Sequence, residues 1–225
     1  MNRTVVVFMM SFLLICTTQV TATGASPVLI TEVGTVSPDF IEIQNVYQTT
    51  ADTSGWVVAL NDGVVASVNN VHPILWYLPD SIGPGEILYR DDSTWGNDIV
   101  WPSSGPNWAM IVDDQGNIAD FVSWKYGEAE LGLLSVTING FPITLGDAWT
   151  GPSFNPAGIG AGRSFQRHGE SDGNTAADWV VAEWSMGTKN ENLTVPFVPE
   201  PSTLALLGMG AVGLFTYAWR KRRRR

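Results

Sequence analysis

Cysteine is almost missing from this chain. The only one is Cys16, inside an apolar leader. If the leader is removed, the mature protein has no disulfide, no thiolate metal ligand and no cysteine nucleophile. A lipidated Cys16 would want a small residue before it, and Ile15 is not small. Basic residues are scarce as well. Between Pro27 and Val198 they are Arg90, Lys125, Arg163, Arg167 and Lys189, five against twenty-one acidic residues, a net of −16. Such a surface repels phosphate backbones, so no nucleic-acid partner is expected; it suits solubility, cations or basic partners. The histidines are His72 and His168, too far apart for a His-Glu-x-x-His or His-x-x-His metal spacing, so no metal site is expected from them. No stretch between the two ends carries sustained 3.6-residue periodicity, which argues against a helical bundle.

What is present begins at the ends. Asn2 and Arg3 precede an apolar run over 5–15, and small residues follow at 21–25. Residues 1–25 therefore read as a secretory signal peptide, with cleavage after Ala22 or Ala25. At the other end, 195–203 form a linker containing Val198-Pro199-Glu200-Pro201-Ser202. Residues 204–219 carry no charge. As a helix they reach about 24 Å, slightly short of a hydrocarbon core of about 30 Å, and Trp219 with snorkelling arginines can make up the difference. A C-terminal transmembrane helix is expected there. The closing run Arg220, Lys221, Arg222, Arg223, Arg224, Arg225 resists translocation, so 220–225 stay cytoplasmic as a stop-transfer signal. Residues 208–213 spell GxGxxG by chance, because no strand or βαβ unit surrounds them.

These three C-terminal blocks resemble the PEP-CTERM sorting signal of Gram-negative bacteria. The resemblance implies a partner, an exosortase-type processing enzyme. It also implies a precursor held in the inner membrane by its C-terminal helix, then delivered to the cell surface or extracellular matrix.

Residues 26–194 read as one all-β domain. The apolar, β-branched run 28–33 is a strand. In 40–45, Ile41 and Ile43 alternate with Glu42 and Gln44, the period of a half-buried strand. A third run, 56–60, leads through Asn61-Asp62-Gly63 to a return strand at 64–68. Further strands are expected at 86–89, 108–112, 118–124, 133–138, 163–167 and 178–184. Residues 113–117 make a hairpin turn, and 125–162 are the least regular part. Short strands without intervening helices suit a β-sandwich.

Several pieces in order resemble a lamin-tail domain: Leu29-Ile30-Thr31-Glu32-Val33, Asp39-Phe40-Ile41-Glu42-Ile43-Gln44-Asn45, Ser54-Gly55-Trp56, Ile82-Gly83-Pro84-Gly85-Glu86, the 113–117 turn with Asp120, and Gly162-Arg163-Ser164-Phe165-Gln166-Arg167. That resemblance implies an immunoglobulin-like β-sandwich that binds or tethers and has no catalytic residues to carry over. The segment 125–161 departs from its pattern.

Candidate chemistry is sparse. Glu32 and Glu42, on neighbouring strands, could form a glycosidase-type acid and base, or serve as strand-face residues; their places match the non-catalytic pattern. Asp91-Asp92, Asp113-Asp114 and 171–174 could offer oxygens to Ca²⁺ but fit no Asp-x-Asp-x-Asp-Gly loop, and Asp and Asn are ordinary turn residues. Trp76, Trp95, Trp101 and Trp149 could stack on sugars, or pack inside. The expectation is a non-catalytic binding or structural module of the envelope and exopolysaccharide matrix, without cofactor. An extracellular hydrolase and a calcium-dependent adhesin are the alternatives.

Overall fold

The computed structural model describes residues 26–61, 74–94, 101, 105–169 and 172–194. The signal segment, the hairpin expected at 61–68 beyond Asn61, and the whole sorting tail lie outside them. Among the described residues, no helix is long and apolar enough to cross a membrane.

The fold is mostly β. Its strands are β1 (Val28–Gly34), β2 (Phe40–Asn45), β3 (Ala51–Asp52), β4 (Val57–Leu60), β5 (Ile74–Tyr77), β6 (Ser81–Ile82), β7 (Ile87–Asp91), β8 (Asn107–Val112), β9 (Ile118–Trp124), β10 (Ser135–Ile138), β11 (Phe141–Thr144), β12 (Arg163–Arg167) and β13 (Trp179–Glu183). One sheet runs β13-β12-β1-β2-β7, a second β5-β4-β8-β9, and β10-β11 and β3-β6 form two small ribbons. The pairings are antiparallel throughout these sheets.

Inward residues of both large sheets meet in one core: Ile30, Val33, Ile41 and Ile43 from one, Val58, Leu60, Ile111 and Val122 from the other. Aromatic rings knit its centre. Trp124 stands 5.3 Å from Trp101 and 5.0 Å from Phe165, and Phe165 stands 5.9 Å from Trp179. Such tilted and edge-on pairs add to the area that burial removes from water.

Strands β1, β2, β4 and β8 are buried on both faces. The outer faces of these central strands are therefore covered, and the cover comes from the irregular segments. Residues 125–160 lie against the four-stranded sheet. They contain a four-residue helix, α1 (Glu128–Leu131), the β10-β11 hairpin and a 3-10 turn over Leu145–Ala148. The Trp149 ring packs on Phe121 at 5.9 Å, and Tyr77 donates to Asn139 Oδ1 at 3.1 Å. Gly116 is required here: its φ is +84°, and a Cβ would collide with the Phe141 ring of the covering hairpin.

The other cover is the strap, residues 184–194, laid across the five-stranded sheet. Trp184 meets the Phe40 ring at 6.2 Å, and Leu193 packs with Leu29 and Val46. This corrects the half-buried reading of β2. Glu42 and Gln44 do point away from Ile41 and Ile43, but the strap roofs them over, leaving Glu42 fully buried and Gln44 nearly so. A second difference concerns β4, whose described partners are β5 and β8.

Candidate functional site

The polar residues that sequence singled out converge in two buried clusters. The first lies under the strap. Glu32 and Glu42 are directly opposite on β1 and β2. Both are 0 % exposed. Backbone N–H groups of the strap donate into the pair: Ser185 to Glu32 Oε1 at 2.8 Å and Gly187 to Glu42 Oε2 at 2.8 Å. The Ser185 hydroxyl donates to Glu32 Oε2 at 2.7 Å, and Thr31 Oγ1 donates to Glu42 Oε1 at 2.8 Å. Gln166 Nε2 adds a donor to Glu32 at 3.2 Å, and Asn190 Nδ2 caps the Thr31 carbonyl at 2.6 Å. Gly187 sits at φ +77°, with the Tyr89 ring 3.1 Å from where a Cβ would be. That left-handed turn aims its N–H at Glu42.

Burial pushes the Glu42 carboxyl up to about 7. The Thr31 hydroxyl opposes this, the Glu32 charge adds to it, and the Gly187 N–H opposes it again. A carboxyl poised near neutrality can be catalytic, but this pair touches neither solvent nor a cleft. It cannot reach a substrate while the strap is docked. The pair fixes the strap.

The second cluster joins the two large sheets. Arg167, at the end of β12, is 1 % exposed. Its Nη2 donates to both Asp120 oxygens, at 2.7 and 2.9 Å, and Nη1 to Asp172 Oδ1 at 2.8 Å. Its Nε donates to the Ile30 carbonyl at 3.0 Å, while the Ile30 N–H donates to Asp120 Oδ2 at 2.6 Å. The backbone of Ile30 therefore bonds side chains where a strand ladder would otherwise continue, beside the register shift between Ile30 and Glu32. Burial alone would lower the Arg167 pKa, but Asp120, Asp172 and Asp178 outweigh it and raise it, so the guanidinium stays charged. This is a buried anchor between the sheets, closed to solvent.

At the opposite end of β2, burial pushes Asp39 up to about 6; the Trp101 N–H opposes this and Asp92 adds to it. Asp39 Oδ2 accepts that N–H at 2.7 Å.

The other sequence candidates are placed as follows. Trp76, Trp101 and Trp149 are 6 %, 3 % and 7 % exposed. They are core residues, a correction to the stacking expectation: ring area gains more from the core than from water. Arg90 lies over Trp76 at 5.3 Å, Trp101 Nε1 donates to the Asn61 carbonyl, and Trp149 Nε1 to that of Pro152. Trp95 lies outside the described residues, as do His72 and the tail. Among the described residues, the exposed rings are instead Tyr77, Tyr89, Phe141 and Trp184. Nothing in their local sequence sets them apart from buried neighbours.

The acidic turns serve their own backbones. Asp113 Oδ1 accepts from Gln115 and Asn117 N–H, Asp91 Oδ1 from Ser93 and Thr94, and Asp172 holds Arg167. One polar cleft of about 500 Å³ opens beside the β8-β9 turn, lined by Asn117, Thr144, Asp147, Trp149, Thr150 and Asn174 among others. Its side chains can bond hydroxyl or amide groups. None of them is paired as a nucleophile and base.

The last strap residues hold the root of the tail. Gly169 N–H donates to the Asn192 carbonyl and Thr194 N–H to the Gly169 carbonyl, both at 3.0 Å. Three residues further on, the chain enters a recognisable signal. Residues 197–224 match the PEP-CTERM protein-sorting motif. The match covers Val198, Pro199, Glu200, Pro201 and Ser202 and all but the last of the basic residues 220–225. A PEP-CTERM tail implies an exported, envelope-associated protein that is sorted by an exosortase-type enzyme. Among curated proteins, none matches this chain.

Proposed function

We propose that this chain is a surface-sorted, non-catalytic binding or structural module of the bacterial envelope and exopolysaccharide matrix. The signal peptide exports it, the 204–219 helix holds the precursor in the inner membrane, and processing near Val198–Ser202 passes the domain outward. The observation that carries the reading is the PEP-CTERM tail at 197–224, rooted in a folded acidic β-domain.

The domain itself is read as an immunoglobulin-like sandwich of the lamin-tail kind. Support comes from the order of its elements. The pieces that carry the resemblance fall on β1, β2, the start of β4, the β6-β7 turn, the β8-β9 hairpin and β12. The non-catalytic reading is supported by Glu32 and Glu42, whose oxygens are taken up by the strap and by Thr31 and Gln166. Contact with polysaccharide has room in the polar cleft and on the exposed rings.

Fractionating cells that produce the wild-type chain and a variant with Pro199, Glu200 and Pro201 replaced by alanine tests this. The wild type is expected at the surface and in the matrix, and the variant in the inner membrane. Equal distribution of the two would overturn the sorting role of the motif.

A further inference from the structure

Both ends of the described domain leave from one pole. The first strand, β1, starts there at Val28, opposite Asn45 at the end of β2. Val46 N–H donates to the Pro27 carbonyl at 2.8 Å. β12 runs antiparallel to β1 and so ends at the same pole, leading to Gly169. Gly169 bonds Asn192 and Thr194, and Leu193 packs on Leu29 and Val46. The other pole carries Gly34 opposite Phe40 and Arg163 opposite Glu183. The strands separate the two poles by roughly 20 Å at about 3.3 Å per residue.

Covalent geometry then limits the tether. From Thr194 to Leu204 is ten residues, at most about 35 Å of fully extended chain. From Thr194 to Val198 is four residues, at most about 14 Å. The strap cannot lend more length without breaking its bonds to Glu32, Glu42 and the Thr31 carbonyl.

We propose that, while the tail holds the precursor at the membrane, the pole carrying Ser26 and Thr194 faces the lipid surface and the pole of Gly34 and Arg163 faces outward. This rests on the anchored precursor of the previous section and adds an orientation to it. The inward pole exposes Asp52, Asp80, Glu86, Asp114 and Glu191, and residues 45–56, 79–86, 113–117 and 191–194 contain no lysine or arginine. Anionic lipid repels such a face, so the domain stands off within the reach of its tether. The processing enzyme works in that gap, on a motif held close under the domain.

The test uses residues 26–225, the exported precursor without its leader and without cysteine, reconstituted in phosphatidylethanolamine–phosphatidylglycerol vesicles that contain an acceptor-labelled lipid. A donor dye is placed on Ser54→Cys, exposed at the inward pole, or on Ala161→Cys, exposed at the outward pole. Energy transfer to the lipid acceptor is expected to be at least twofold greater from position 54. A twenty-residue Gly-Ser insertion after Thr194 is expected to erase the difference. Equal transfer from the two positions of the uninserted chain, or greater transfer from 161, overturns the orientation while leaving the anchor intact. A chain that does not stay with the vesicles overturns both.

Discussion

At Glu42 a charged residue occupies a place that alternation assigns to solvent. Its pKa is raised from an ordinary 4.5 to about 7. The sign of the linkage follows. The unfolded chain gives up this proton first as pH rises, so the stabilisation is complete below about 4.5 and is lost as pH climbs through about 7. Asp39, raised from 3.8 to about 6, acts in the same direction over a lower window. Denaturant unfolding is therefore expected to show a domain more stable at pH 5 than at pH 8, with Glu42 contributing on the order of 2 kcal/mol. Glu42→Gln keeps an oxygen for the Gly187 N–H without the charge. It is expected to flatten the profile and to match or exceed the wild type at pH 8; an unchanged slope would remove Glu42 as the cause. Arg167 makes the contrasting case. Arg167→Ala leaves the Asp120 carboxyl buried without its cation, forcing it to take up a proton or stay charged and unpaired, and is expected to cost about 3–5 kcal/mol in the same assay. A loss under 1 kcal/mol would show that the ion pair does not join the sheets. Glu32, Glu42, Asp120 and Arg167 were all visible as motif residues. Their burial was not, because the groups that close over them include Ser185, 153 positions from Glu32, and Asp120, 47 positions from Arg167.

At the scale of elements, local pattern was enough wherever a strand is short, β-rich and bounded by turn residues. β2 and β12 fall on the ranges that alternation and flanking turns indicate, and β1, β8, β9 and β13 lie within a residue of theirs. Legibility failed in the covers. Residues 125–160 and 184–194 hold little regular structure, so no period marks them, yet they bury the outer faces of the central strands of both large sheets. The continuous apolar runs Val57–Leu60 and Trp108–Val112 were the available signal, since a strand buried on one face alone would alternate. The strap makes a clear prediction. A chain ending at Thr194 is expected to unfold at the midpoint of the longer exported form. One ending at Glu183 uncovers Glu32, Glu42, Phe40 and Leu29 and is expected to lose more than about 3 kcal/mol. Equal midpoints for the two truncations would mean that the strap is an ornament on an already stable sheet.

At the scale of the whole molecule, function was legible in the C-terminal sorting motif and hardly at all in the domain. The tail signal depends on composition in a fixed order, which survives reading in one dimension. A binding face depends on which rings and carboxylates remain exposed after folding, and here most of the tryptophans noted in the sequence go inside. The covered sheets and the bonds that hold Thr194 complete the described domain before the sorting motif begins. Processing at the motif is therefore expected to leave the domain intact, because the bonds that hold Thr194 lie upstream of it.

The intact mass of the protein, recovered separately from membranes and from culture fluid, tests the account most directly. A released species beginning near Thr23 or Ser26 and ending close to Val198–Ser202 is what surface sorting predicts. Finding residues 204–225 on every molecule, in every fraction, would contradict it and make the tail a permanent anchor.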